Sequence, residues 1–192
     1  MAVRFALSLP LPPDVTHSLE VARKAEKLGY ESCWLADTAG PDPFVLAGAL
    51  SRAVERMRIG IGVSPVYNRT PAAFAQASGA LGQLLPGRFL LGLGCSSETI
   101  VDRWNGVPFE KPLARVRETV TLVRQMLAGE KTKFRGKTVR SEGFRLSSIP
   151  AEPVPIYVGA LKPPMLRVAG EVGDGIVVNL FPAEALPRML AE

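Results

Sequence analysis

The chain of 192 residues is 47% hydrophobic and 21% charged, with 23 Lys and Arg against 18 Asp and Glu and a formal net charge of +5. That balance excludes a disordered or fibrous chain and suits one domain with a sizeable core. Residues 1–10 carry one charge, Arg4, and a short apolar run cut by Pro10, Pro12 and Pro13, which fits neither a signal peptide nor a membrane span, so a cytoplasmic protein with no membrane partner is expected.

Residues 4–9 read as a buried strand. Asp14 is the N-cap of a helix reaching residue 28, with Val15, Leu19, Ala22, Ala25 and Leu28 at helical spacing and Gly29 as its stop. Residues 32–36 are the second strand, 43–56 the second helix and 58–63 the third strand. Thr70-Pro71 supplies the cap and first-turn proline of a helix running to about residue 85, closed by Pro86-Gly87. A fourth strand at 88–94 precedes a helix over 112–127, whose Leu113, Val116, Val120, Val123 and Leu127 form one face. An Arg135-Gly136-Lys137 turn between Lys133-Phe134 and Thr138-Val139 predicts a small hairpin inside a basic insertion at about 129–150. Residues 154–158 and 175–179 are the fifth and sixth strands, 164–171 a short helix between them, and 182–190 the start of a last helix.

Strand, helix and strand recurring about every thirty residues implies parallel strands joined by right-handed crossovers. A (β/α)8 barrel and a doubly wound sheet both fit that alternation. Small or polar residues follow several different strands, at Ala36-Asp37-Thr38, Gly62-Val63-Ser64, Gly94-Cys95-Ser96-Ser97 and Gly159-Ala160-Leu161. A barrel builds its site from many strand ends, whereas a single switch-point crevice needs fewer of them.

Most of the charge excess lies in residues 129–148, where Lys131, Lys133, Arg135, Lys137, Arg140 and Arg145 face only Glu130 and Glu142. A solvated loop or a patch for an anionic ligand would carry such a run; nucleic acid is not expected, because no interleaved aromatics or reading motif accompany it. Cys33 and Cys95 lie far apart and form no metal-site or disulfide pattern. His17, the only histidine, falls on the polar side of the first helix, which removes any Ser-His-Asp or Cys-His mechanism. Gly92-Leu-Gly-Cys-Ser-Ser97 has Ser97 where a dinucleotide fingerprint has its third glycine. That loop either holds a phosphate or ring edge through N–H and hydroxyl groups or is a tight packing turn. Asp37, ending an apolar strand, either orients a cofactor or proton at the rim or caps the next helix. With no strand-end histidine and no metal cluster, the hard chemistry falls to a cofactor.

Gly62-Val-Ser-Pro-Val-Tyr-Asn-Arg-Thr-Pro71, Pro86-Gly-Arg-Phe-Leu-Leu-Gly-Leu-Gly94, Trp104-Asn-Gly-Val-Pro-Phe109, Pro112-Leu-Ala-Arg-Val-Arg-Glu118 and the run from Gly159 to Gly175 together resemble the luciferase-like monooxygenase superfamily. They are most similar to its branch that uses the deazaflavin coenzyme F420, the relatives of methylene-tetrahydromethanopterin reductase. The resemblance implies a (β/α)8 TIM-type barrel, of which this chain offers about six βα units. It implies F420 at the carboxyl ends of the strands, with hydride moving to or from a small-molecule substrate. By the same resemblance the Gly62-Val63 peptide is cis beneath the ring, and Asp37 and Thr38 form the catalytic end. Gly62, Val63, Ser64, Cys95, Ser96 and Ser97 then surround the ring, while Gly159, Ala160, Leu161 and Arg69 meet the phosphate-bearing tail. Thr38 stands where many relatives have a histidine. The alternatives are an FMN-dependent monooxygenase of the same superfamily and, from another class, a truncated, catalytically silent flavin-binding or partner-binding protein. Six strands leave two open edges, to be covered by further chain beyond Glu192 or by a second subunit, with the first favoured and a homodimer expected in either case.

Overall fold

The structure, a computed structural model, describes residues 5–9 and 14–190. In chain order it contains β1 (Ala6–Ser8), α1 (Val15–Lys27), β2 (Ser32–Leu35), α2 (Pro43–Leu50), β3 (Arg58–Ile61), β4 (Ser64–Pro65), α3 (Pro71–Leu84), β5 (Phe89–Gly94), α4 (Pro112–Leu127), β6 (Lys133–Arg135), β7 (Arg140–Glu142), β8 (Ile156–Gly159), α5 (Pro163–Val172), β9 (Gly175–Val177) and α6 (Leu186–Leu190). Six strands pair in parallel in the order β1-β2-β3-β5-β8-β9, and the two-residue β4 pairs with the end of β5. Because every strand runs the same way, all the carboxyl ends lie at one end of the sheet. The result is a curled, open (β/α) barrel of six strands with β1 and β9 at its two margins. No helix among the described residues is long and apolar enough to cross a membrane.

The strand pleat separates two kinds of packing. On the face toward the helices, Cys33, Leu35, Ile59, Ile61, Leu91 and Leu93 are buried in the main core. On the opposite face, Trp34 meets Tyr157 edge-on, with ring centroids 5.5 Å apart. Glycines make room for both rings: a Cβ on Gly60 would lie 2.5 Å from Trp34 Cε3, and one on Gly175 2.4 Å from Tyr157 Cε1. Along the outside each helix touches the next, from α1 on α2 through to α4 on α5.

Asp14 caps α1 as predicted, accepting from the Thr16 N–H at 2.9 Å, and Thr70 caps α3. The apolar face of α1 is rotated from the predicted one: Ser18, Ala22 and Ala25 are buried while Val15 and Leu28 are exposed. The first strand is also not buried, since Ala6 and Ser8 at the sheet margin face solvent; Arg4, its predicted start, lies outside the described residues, as does Glu192. Helix α2 stops at Leu50 rather than at residue 56. The carboxylate of Glu26, from α1, takes the N–H groups of Glu55, Arg56 and Met57 at 2.7–3.1 Å and draws them out of a helical ladder.

A second carboxylate does the same to the hairpin. Glu118, from α4, accepts from the N–H groups of Lys137, Thr138 and Val139 and from the Thr138 hydroxyl at 2.6–3.2 Å. Thr138 and Val139 therefore cannot serve as a strand, and β6 pairs instead with Arg140–Glu142, with Arg135 opposite Arg140. The inward side of this hairpin, Phe134 and Val139, packs with Ala75, Leu122 and Met126, so the basic segment lies along the outside of α3 and α4. Its Lys133, Arg135, Lys137 and Arg140 are exposed.

Partial burial works against the Glu118 charge, but the four donors outweigh it and hold the carboxyl below its ordinary range. A carboxylate of that kind stabilises the folded state above its unfolded pKa and loses the contribution as pH falls through the folded one. Glu118→Ala should therefore destabilise the protein by roughly 1–3 kcal/mol at neutral pH, with the difference from wild type shrinking below about pH 4.5. Hydrogen exchange at Lys137, Thr138 and Val139 should lose its protection. Undiminished protection of those amides in the variant is the contrary result.

Candidate functional site

At the carboxyl ends of the strands the chain turns from β3 to β4 through a cis Gly62-Val63 peptide, as the family resemblance implied. The Val63 side chain then lies over three glycines of the neighbouring strands. A Cβ on Gly92 would sit 3.0 Å from Val63 Cγ1, one on Gly94 2.7 Å from Val63 Cγ2, and one on Gly159 2.9 Å from the same methyl. Gly92 is also closely approached by the end of β3, since its Cβ would fall 2.0 Å from the Ile61 carbonyl oxygen. The floor at this end is thus backbone plus one valine. Replacing Gly92 by Ala should force β3 and β5 apart and destabilise the fold by about 3 kcal/mol or more, measured by denaturant unfolding; a change under about 1 kcal/mol would contradict the close approach.

Asp37 and Ser64 are brought together beside this floor, with Ser64 Oγ donating to Asp37 Oδ2 at 2.5 Å. Ser64 is fully buried and Asp37 half-buried. Asp37 does not cap α2. That cap is Asp42, which accepts from the N–H groups of Phe44 and Val45 at 2.9 and 3.2 Å. Burial lifts the Asp37 carboxyl above its ordinary range; the Ser64 hydroxyl and the Arg69 guanidinium pull against the rise, and Asp42 adds to it. Arg69 itself is paired with Asp42 and stacked on the Phe44 ring, its Cζ 4.5 Å from the centroid. Asp42 followed by Pro43 is an N-cap and first-turn proline, a signal readable in the sequence that the Asp37 alternative obscured.

The loop after β5 is shaped by its backbone. Ser96 adopts a left-handed φ of 63°, Cys95 is half-buried with its thiol pushed above the ordinary range by desolvation, and the exposed Ser97 accepts from the Ile100 N–H at 3.4 Å. Ser97 opens a π-helical segment, Thr99–Trp104, that the sequence did not predict and that leaves Trp104 exposed. Thr38 is exposed at the rim. After β8, Ala160 is buried and its N–H bonds to Val177 O at 3.1 Å, while Leu161 is exposed. The next helix offers little to an anion through its first turn, because Pro163 and Pro164 have no N–H and Met165 and Leu166 donate to the Lys162 carbonyl. Lys162 is an exposed cation at that turn. Tyr67 is anchored by its hydroxyl on the Glu110 carbonyl at 2.7 Å and lies under Arg115.

An ionised carboxyl held above its ordinary pKa weakens folding, because the stability that goes with its protonated form is present below the unfolded pKa and is lost as pH rises through the folded one. Asp37→Asn keeps an acceptor for Ser64 and removes the charge. Thermal denaturation should show the variant more stable than wild type at pH 7, with the gap closing toward pH 3.8, the ordinary value for aspartate. Lower stability of the variant at pH 7 is the outcome that contradicts the burial of this charge.

A family model described as luciferase-like monooxygenase matches residues 3–192. Among curated proteins, 5,10-methylenetetrahydromethanopterin reductase of Archaeoglobus fulgidus is 33% identical over 156 residues, covering 81% of this chain and 46% of the relative. F420-dependent glucose-6-phosphate dehydrogenase of Intrasporangium calvum is 37% identical over 170 residues, covering 80% and 51%. This chain spans about half the length of those relatives. Among solved structures, an F420-dependent secondary alcohol dehydrogenase in complex with an F420-acetone adduct superposes with a TM-score of 0.88 at 22% identity, over 100% of this chain and 64% of that one. The oxygenating constituent of 3,6-diketocamphane monooxygenase from Pseudomonas putida, in complex with FMN, superposes with a TM-score of 0.84 at 21% identity, over 100% and 61%. Both likenesses establish the barrel fold.

Proposed function

Because the chain belongs to the luciferase-like monooxygenase family, we propose that it binds the deazaflavin coenzyme F420 at the carboxyl ends of its strands and serves two-electron transfer between that cofactor and a small organic substrate. The observation that carries this reading is the juxtaposition of a half-buried carboxyl, Asp37 on Ser64, with a floor of backbone and one valine at Gly62-Val63, Gly94 and Gly159. A flat ring fits such a floor, since the missing side chains of Gly94 and Gly159 let Val63 lie close against the strands. The same relatives supply the choice of cofactor: a curated protein 37% identical to this chain is named as F420-dependent.

When bound, the deazaflavin supplies the carbon that gives or receives hydride. The chain's own groups bind and orient. Val63 and the backbone of Gly62 form the surface under the ring, and Ser96 and Ser97 with the half-buried Cys95 line the side where β5 ends. Asp37 is the group at the rim able to take or give a proton, and Thr38, beside it, offers a hydroxyl in place of the histidine found in many relatives. For the anionic tail the turn after β8 provides the N–H groups of Leu161 and Lys162 and the Lys162 ammonium. Arg69, which the family resemblance places near the tail, has its guanidinium paired with Asp42 and stacked on Phe44.

The likeness in fold to an FMN complex keeps a second reading, an FMN-dependent monooxygenase on the same floor. Equilibrium titration with both cofactors separates the two. Deazaflavin should bind at least tenfold more tightly than FMN, about 1.4 kcal/mol; tighter FMN binding would replace the first reading by the second.

A further inference from the structure

Ser64 is 0% exposed, and its backbone is fixed by the parallel pairing of β4 with β5, where it lies opposite Leu93. A hydroxyl with no accessible surface cannot touch a ligand on the floor above it. What it does reach is Asp37 Oδ2, 2.5 Å away, two residues beyond the end of β2. Among the described residues this is the hydrogen bond that the Asp37 side chain makes, so one oxygen of the half-buried carboxyl is engaged from the sheet. The charged groups about this carboxyl are Arg69, before α3, and Asp42, capping α2, and these two neutralise one another in an ion pair. The neutral donor behind Asp37 is therefore the feature that distinguishes its two oxygens.

Resting on the reading of Asp37 as the carboxyl that faces the cofactor, we propose that Ser64 is a positioning residue, which touches neither cofactor nor substrate and acts by donating to Asp37 Oδ2, fixing the rotamer of the carboxyl and favouring its ionised form. The family resemblance assigned Ser64 a direct cofactor contact; its burial assigns it to the group behind that contact. The Ser64 hydroxyl can serve this role without moving, because β4 is tied to β5 on one side and the Asp37 carboxyl closes on it from the other. Loss of the donor removes a bond made to the charged form, so the protonated form of Asp37 gains ground.

The test reads Asp37 directly, by carbon-detected NMR titration of its carboxyl in the protein without cofactor, alongside deazaflavin binding by equilibrium titration. In Ser64→Ala, Asp37 should titrate at higher pH than in wild type, and Ser64→Thr, which keeps the hydroxyl, should restore the wild-type curve. Deazaflavin should bind on the order of tenfold more weakly to Ser64→Ala at neutral pH and within threefold of wild type to Ser64→Thr. If the alanine variant does not fold, Ser64→Cys, of nearly the same volume and a weak donor, is read in its place against the same expectation. A folded Ala or Cys variant in which Asp37 titrates as in wild type overturns the positioning role. A wild type that binds no deazaflavin, while Asp37 still responds to the loss of Ser64, supports the pair and overturns the cofactor reading instead.

Discussion

The close approach of the end of β3 to its neighbour β5 is the contact on which the rest of the site depends. Gly92 lets the Ile61 carbonyl approach where no Cβ would fit, and the chain then turns through Gly62-Val63 into β4. From that approach follow the position of Val63 over Gly92, Gly94 and Gly159, the pairing of Ser64 with Leu93, and the reach of Ser64 Oγ to Asp37. A side chain at Gly92 would separate the strands and dissolve all three arrangements together, because packed interiors have no slack to absorb an added carbon.

Two carboxylates organise the loops around this sheet by one device. Glu26 and Glu118 each project from a helix and collect three successive backbone N–H groups from a segment distant in sequence, ending α2 early in one case and docking the basic hairpin in the other. Anion binding by consecutive N–H groups is ordinarily described for ligands; here the anion is the protein's own. The hairpin's exposed cations thus owe their position to an acidic partner beneath them, and they line the outside of α3 and α4 rather than the floor at the strand ends.

Asp37 is the contrasting carboxyl. It has one donor, partial burial and a nearby ion pair whose charges oppose each other, and it sits above its ordinary pKa where Glu26 and Glu118 sit below theirs. Stability alone would favour a neutral group there. Burial of the Asp37 charge is opposed only by the Ser64 hydroxyl and the Arg69 guanidinium, so its ionised form is held against folding where those of Glu26 and Glu118 are held in favour of it.

The alternation of apolar strands with capped helices was legible in the residues themselves, because Asp14, Thr70-Pro71, Gly29 and Pro86-Gly87 are local signals that act within one turn of chain. The small and polar residues at the ends of four separate strands, Asp37, Gly62, Gly94 and Gly159, were legible too, and they are what suggested a site there. The early end of α2, the shifted hairpin, the π-helical segment before Trp104 and the choice of Asp42 over Asp37 as a cap were decided elsewhere. The first two depend on carboxylates 29 and 19 residues away from the N–H groups they bind, and no periodicity records a contact across such a separation. Ser64 shows the same limit at the site: its hydroxyl is a plausible ligand contact in sequence, and only the pairing of β4 with β5 buries it and turns it toward Asp37.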